Sequence, residues 1–170
     1  MRKINRILGV STSMHFGSRS RQFLESLDLD KYDGVEYKQM NLVDDEYQDL
    51  NCIACENCVS SNSCKLEGNN IILDAFLQSD IIIISAPIYY GSLTGKTKLL
   101  MECFHPFRAK QLEGKELILV LSSAKEGQEG IAVMQFLIWC HTHQIKLVQV
   151  VTIHDETTEN DNIRMIDDIR

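Results

Sequence analysis

Short apolar runs alternate with amphipathic stretches along this chain. Ile4, Ile7, Leu8 and Val10 predict a buried strand, and the segment STSMHFGSRSRQFLESL that follows opens as a loop and becomes a helix with Phe23, Leu24 and Leu27 on one face. Val35 and Tyr37 alternate with polar neighbours in a second strand, after which a cysteine-rich stretch replaces an ordinary crossover. Ile72, Ala75 and Phe76 predict a short helix, and the unbroken β-branched run Ile81, Ile82, Ile83, Ile84 fits a strand covered on both faces and paired in parallel. The pattern then repeats twice: a helix through Leu99, Leu100 and Cys103, a strand from Leu117 to Leu121, a helix through Val133, Phe136 and Leu137, and a strand from Ile145 to Ile153. Strands alternating with helices in this way predict an α/β fold with a doubly wound parallel sheet of five strands. Right-handed crossovers then cover both faces, and the ligand loops fall at the carboxyl ends of the first, third and fourth strands. Beyond the last strand, Ile163, Ile166 and Ile169 predict a final amphipathic helix, packed on the core or on a partner subunit.

With 170 residues, 44% of them hydrophobic, the chain is expected to form a single domain, residues 1–170, with one full core. Its net charge of -7 argues against nucleic acid and against anionic membrane surfaces as partners. The apolar stretch of MRKINRILGV stops at Gly9 and Ser11, too short for a signal peptide or a membrane span, so a cytoplasmic location is expected. In a reducing cytosol the six cysteines are free thiols or ligands, and Cys103 and Cys140, each in an apolar helical pattern, read as small buried hydrophobes.

The other four cysteines, Cys52, Cys55, Cys58 and Cys64, are crowded into CIACENCVSSNSC within a loop spanning 51–66. Cys-x-x-Cys-x-x-Cys spacing turns successive thiolates onto one concave face, which favours an iron-sulfur cluster. Zinc usually takes two cysteine pairs separated by a longer spacer, and here the middle cysteine would belong to both pairs. A disulfide framework, for which nothing here supplies an oxidising compartment, and redox-active or unliganded thiols are the other readings.

Three loops carry the remaining chemistry. The first holds Ser11, Thr12, Ser13, Ser18, Arg19 and Ser20, with Gly17 for backbone freedom, between a buried strand and a helix N-terminus. Such a loop suits a monophosphate, or it is a polar turn with Ser18 or Ser20 as helix N-cap. In the second, SAPIYYGSLTGKTK, Pro87 and Ile88 leave the strand, Tyr89 and Tyr90 offer flat faces to a ring, Gly91 permits close backbone approach and Ser92 caps the next helix. The tyrosines as ordinary rim packing are the alternative. The third loop, from Ser122 and Ser123 to Gly130, adds small and polar groups on the same edge. Neither a Gly-x-Gly-x-x-Gly fingerprint nor a Walker A lysine is present.

The hydroxyl loop, the cysteine run and IIIISAPIYYGSLTGKTKLLMECF together resemble the iron-sulfur flavoproteins, a branch of the NADPH-dependent FMN reductase family, over roughly residues 4 to 125. The resemblance implies a flavodoxin-like sheet of order 2-1-3-4-5 with the cysteine-rich loop inserted after strand 2. It implies FMN with its phosphate in the Ser11 to Ser20 loop and its ring against Pro87, Ile88, Tyr89, Tyr90, Gly91 and Ser92, and a [4Fe-4S] cluster on Cys52, Cys55, Cys58 and Cys64. It further implies a homodimer or homotetramer exchanging electrons with a NAD(P)H donor or a one-electron carrier such as ferredoxin. Family members commonly carry Pro-Arg after the Ser-x-Ser of the phosphate loop and Asn-Thr at its end; this chain has Met14, His15 and Ser18-Arg19-Ser20. No side-chain acid or base is required for such electron transfer: His15, His105, His141, His143 and His154 are scattered, and only His15 sits in a cofactor loop. A cluster-free NAD(P)H-dependent FMN or quinone reductase, and a non-enzymatic zinc-stabilised binding module on the same scaffold, are the rival functions.

Overall fold

The computed structural model describes residues 6–154, apart from 30, 48, 62, 108 and 109. Ile4 and the expected helix with Ile163, Ile166 and Ile169 lie outside the described residues. The chain runs β1 (Arg6–Ser11), α1 (Arg19–Glu25), β2 (Glu36–Asn41), a short 3-10 turn (Asp45–Tyr47), α2 (Asn57–Ser61), α3 (Glu67–Gln78), β3 (Ile81–Tyr89), β4 (Ser92–Leu93), α4 (Gly95–Glu102), β5 (Glu116–Ser122), α5 (Gly130–His143) and β6 (Lys146–Ile153).

The strands lie all parallel, as the alternation of strand and helix predicts, and in the order β2-β1-β3-β5-β6 that the resemblance implies. A sixth strand escapes the pattern because it is only two residues long: β4 folds back antiparallel on the end of β3, pairing Ile88 with Leu93 and Tyr89 with Ser92. Tyr90 (φ 54°) and Gly91 (φ 72°) form the two-residue turn between them, the double positive φ that a tight twisted hairpin demands. Ser92, expected to cap a helix, therefore sits in this ribbon, and Thr94 precedes α4 instead.

Residues Ile81 through Ile88 are all buried because β3 lies between β1 and β5 and under helices on both faces. Ile82 and Ile84 face α3, α4 and α5 with Leu8, Val10, Leu117 and Leu119, whereas Ile81 and Ile83 face α1 with Ile7, Ile118 and Val120. The first layer is tightened by a ring cluster in which Phe104, just after α4, meets Phe76 edge-on at 4.6 Å and Trp139 at 5.0 Å. Because the strands are parallel, the ends of β1, β3, β5 and β6 gather on one edge, where Thr12 N–H bonds Ser85 O at 2.9 Å and Ser123 N–H bonds Ile153 O at 3.1 Å. Replacing Phe104 with Ala is expected to cost about 3–5 kcal/mol, since its surroundings cannot collapse fully into the void; urea unfolding of the purified variant measures this.

Candidate functional site

The hydroxyl loop is stitched to its neighbours from below. Thr12 Oγ1 lies 2.7 Å from Thr97 Oγ1, and Thr97 Oγ1 lies 3.0 Å from Thr94 Oγ1, so a buried hydroxyl chain ties the β1 loop to the start of α4. Ser20 Oγ meets Ser122 Oγ at 3.0 Å, joining α1 to the end of β5, and Arg19 Nη1 donates to Ser123 O at 3.3 Å. Ser13 Oγ accepts from His15 N–H at 3.2 Å, and Ser18 Oγ accepts from Arg21 N–H at 3.2 Å as the N-cap of α1. The capping reading of Ser18 is thus the one observed, and Ser20, inside the helix, serves the joint with β5. Ser11 is buried at the end of β1.

Above this polar floor the edge is apolar and uncovered. Met14 and Phe16 from the first loop and Tyr89 and Tyr90 from the hairpin are exposed, Tyr90 completely. Gly91 brings the hairpin tip beside the third loop, where a Cβ in its place would come within 3.8 Å of Gln128 O. Ser85 Oγ, buried midway along β3 opposite Ser11, the last residue of β1, has no partner among protein atoms. Uncovered aromatic faces over hydroxyls and a free buried oxygen fit a group with a flat ring and a polar tail. All the residues expected for such a group, Ser11, Ser13, Ser18, Arg19, Ser20, Pro87, Ile88, Tyr89, Tyr90, Gly91, Ser92, Ser122 and Ser123, fall on this edge or its hairpin, although Ile88 is buried and Ser18 and Arg19 are engaged as described.

One network here was not read from the sequence. Ser123 Oγ donates to Glu129 Oε1 at 2.6 Å and lies 3.1 Å from His154 Nδ1, which is 3.7 Å from the same carboxylate oxygen. Both partners face one imidazole nitrogen, so this is a clamp and not a nucleophile-base relay. It holds the third loop, the start of α5 and the exit of β6 together. Burial pushes the Glu129 carboxyl up, but the Ser123 hydroxyl, the amides of Glu129 and Gly127 and the His154 ring outweigh it and leave it below its ordinary value.

The cysteines form a second region at the far end of α4. Ala54 (φ 49°) and Glu56 (φ 58°) take left-handed backbone on either side of Cys55, curling the loop. Cys52, Cys55, Cys58 and Cys64 all line one pocket of about 230 Å³, together with Asn69, Cys103 and His105. Cys64 is the anchored member: its sulfur receives Leu66 N–H at 3.4 Å and Asn69 Nδ2 at 3.2 Å, while Asn70 binds both its N–H and its carbonyl at 3.0 Å. N–H donors aimed at a sulfur fix its orientation as a ligand. Among the described residues, however, no three His, Cys, Asp or Glu side chains are disposed to hold one metal ion, so the loop does not preform the closed ligand set that its spacing predicts. Cys140 is in the core as expected; Cys103 is equally buried, but it also belongs to the wall of this pocket, which helical spacing alone could not reveal. Burial pushes the Cys103 thiol up to about 12, with the charges of Cys64 and Cys52 adding to it. Lys96, buried beside the hydroxyl chain, donates to Tyr47 O at 2.6 Å and is pulled down by burial.

The sheet order and the loops gathered on its carboxyl edge define a flavodoxin-like α/β protein. The profile of the NADPH-dependent FMN reductase family matches residues 5–157, and the chain belongs to that family. An iron-sulfur flavoprotein of Methanocaldococcus jannaschii is 29% identical over 129 residues, covering 73% of this chain and 66% of that protein, just under two thirds of its length. This bears out the resemblance to the iron-sulfur branch. Among solved structures, an NADH:FMN oxidoreductase in its apo form superposes with a TM-score of 0.71 at 16% identity, covering 96% of this chain and 85% of that one. A NAD(P)H:quinone oxidoreductase from Methanothermobacter marburgensis gives 0.67 at 13% identity, covering 96% and 93%. These two likenesses establish the fold. No helix among the described residues is long and apolar enough to cross a membrane.

Because the Glu129 carboxyl sits below its usual 4.5, it adds stability at neutral pH that is lost as pH falls through its folded-state value. Glu129→Gln should therefore lose less stability than the native chain between about pH 7 and about pH 3, as read from thermal melts across that range. Ser18→Ala should cost about 1 kcal/mol through the lost cap of α1, measurable by urea unfolding.

Proposed function

We propose that the protein is an NAD(P)H-dependent, FMN-binding oxidoreductase that passes electrons between FMN at the carboxyl edge and a [4Fe-4S] cluster on Cys52, Cys55, Cys58 and Cys64. The observation that carries the reading is the single pocket shared by all four cysteines, set at one end of α4 while the hairpin of the flavin edge leads into the other. An eight-residue helix is about 12 Å long, so both redox sites rest on one short rigid element. Bound FMN supplies two-electron chemistry toward a nicotinamide donor and one-electron chemistry toward a carrier, and a cluster moves electrons singly.

The residues of the chain hold and tune. Ser11, Ser13, Ser18 and Ser20 with the amides of their loop receive the phosphate; Pro87, Ile88, Tyr89, Tyr90, Gly91 and Ser92 take one side of the ring; Ser122, held by Ser20, and Ser123, held by the Glu129 clamp, take its edge. At the other site, Asn69 Nδ2 and Leu66 N–H orient the Cys64 sulfur toward the pocket. A ferredoxin-like carrier and a homodimeric or homotetrameric assembly belong to the same reading.

A cluster-free NAD(P)H-dependent FMN or quinone reductase is the second reading, favoured by the lack of a closed ligand set among the described residues. Anaerobic purification followed by flavin, iron and acid-labile sulfide analysis separates the two. The first reading requires FMN with about four irons and four sulfides per chain, and requires Cys55→Ser to lose the iron while keeping the flavin. Flavin with no iron or sulfide in the native chain selects the second.

A further inference from the structure

The cysteine pocket has a sulfur that its motif does not contain. Cys103 comes from the end of α4, more than thirty residues beyond the cysteine run, and is 2% exposed, yet it shares the pocket wall with the four motif cysteines. Its backbone is fixed, because its N–H bonds back to Leu99 O at 3.1 Å and Leu100 O at 3.2 Å in the last turn of the helix. Cys64 is the motif cysteine held most firmly, and it packs against the same core cluster that contains Cys103. Cys52 and Cys55, in contrast, are exposed on the curled loop. Cys64 and Cys103 are thus the fixed sulfurs of the pocket.

A buried cysteine is ordinarily a small hydrophobe, and Cys140 in α5 fits that description, with core contacts and no place in the pocket wall. A second observation distinguishes Cys103. Asn69, 1% exposed, lines the same pocket; its Nδ2 is spent on Asn51 O and Cys64 Sγ, but its Oδ1 is buried and has no partner. A buried acceptor left open costs stability unless a cation or a water bound to one completes it.

We propose that Cys103 is a fifth sulfur of this pocket and that a thiophilic cation binds through Cys64 and Cys103 together, the exposed loop cysteines closing around it afterwards. The proposal rests on the reading of the pocket as a metal centre. Binding is ligand exchange with no change of oxidation state: each S–H bond breaks as a metal–sulfur bond forms, the proton leaves to solvent, and water leaves the cation.

Cadmium ion is the probe, added under reducing, oxygen-free conditions to the full chain freed of metal, with affinity read by chelator competition and the sulfur count by cadmium NMR. In the native chain a cadmium–proton correlation should reach the β protons of Cys103. Cys103→Ser and Cys103→Val, accepted as folded when circular dichroism is native, should each weaken binding at least about tenfold and shift the cadmium resonance toward fewer sulfurs, whereas Cys140→Ser should match the native chain. Native affinity and resonance in either folded Cys103 variant, or a native-chain spectrum coupling cadmium to motif cysteines but not to Cys103, overturns the proposal and leaves the metal centre standing. A native chain that binds no cadmium through sulfur overturns the metal-centre reading itself.

Discussion

Burial of β3 on both faces is the constraint from which the rest of this structure follows. Eight consecutive buried residues commit the strand to the middle of the sheet, with β1 and β5 as parallel neighbours and helices above and below. Once its direction is set, parallel pairing sends the ends of β1, β5 and β6 to the same edge, and the loops that follow them must meet there. The hydroxyl contacts between Thr12 and Thr97 and between Ser20 and Ser122 are secondary fastenings on an edge that β3 has already assembled.

The exit of β3 also relates the two candidate redox sites. Tyr90 and Gly91 reverse the chain, β4 returns alongside, and α4 starts at once, carrying the chain from the flavin edge toward the aromatic cluster around Phe104 and the cysteine pocket. A helix locked at both ends, by the threonine chain at its start and by the rings of Phe76, Phe104 and Trp139 at its finish, keeps two sites at a fixed separation. Fixed separation and fixed surroundings are what a protein contributes when its cofactors carry the chemistry.

Much of this was legible in the chain because it rests on periodicity. The run Ile81 to Ile84 identified the central strand, and the alternating helices gave the sheet class, since both signals come from residues that burial forces to recur at regular spacing. Contacts between distant residues left no such trace. The clamp of Ser123, Glu129 and His154 joins positions up to thirty-one apart, and each alone looks like an ordinary polar residue. Ser18 has the same sequence signature as helix cap and as phosphate ligand, and only the bond to Arg21 N–H reveals the first role. The four motif cysteines line one pocket, but spacing describes a loop and not its closure, and Cys103 joins them through tertiary packing that helical periodicity cannot encode.

The central claim is that a flavin edge and a thiolate-bound iron-sulfur centre are held together on this one chain. Electron paramagnetic resonance of the oxygen-free, chemically reduced full chain tests it most directly. The account predicts a one-electron iron-sulfur signal that integrates to the amount of flavin bound; a fully reduced, flavin-loaded protein with no iron-sulfur signal would contradict it.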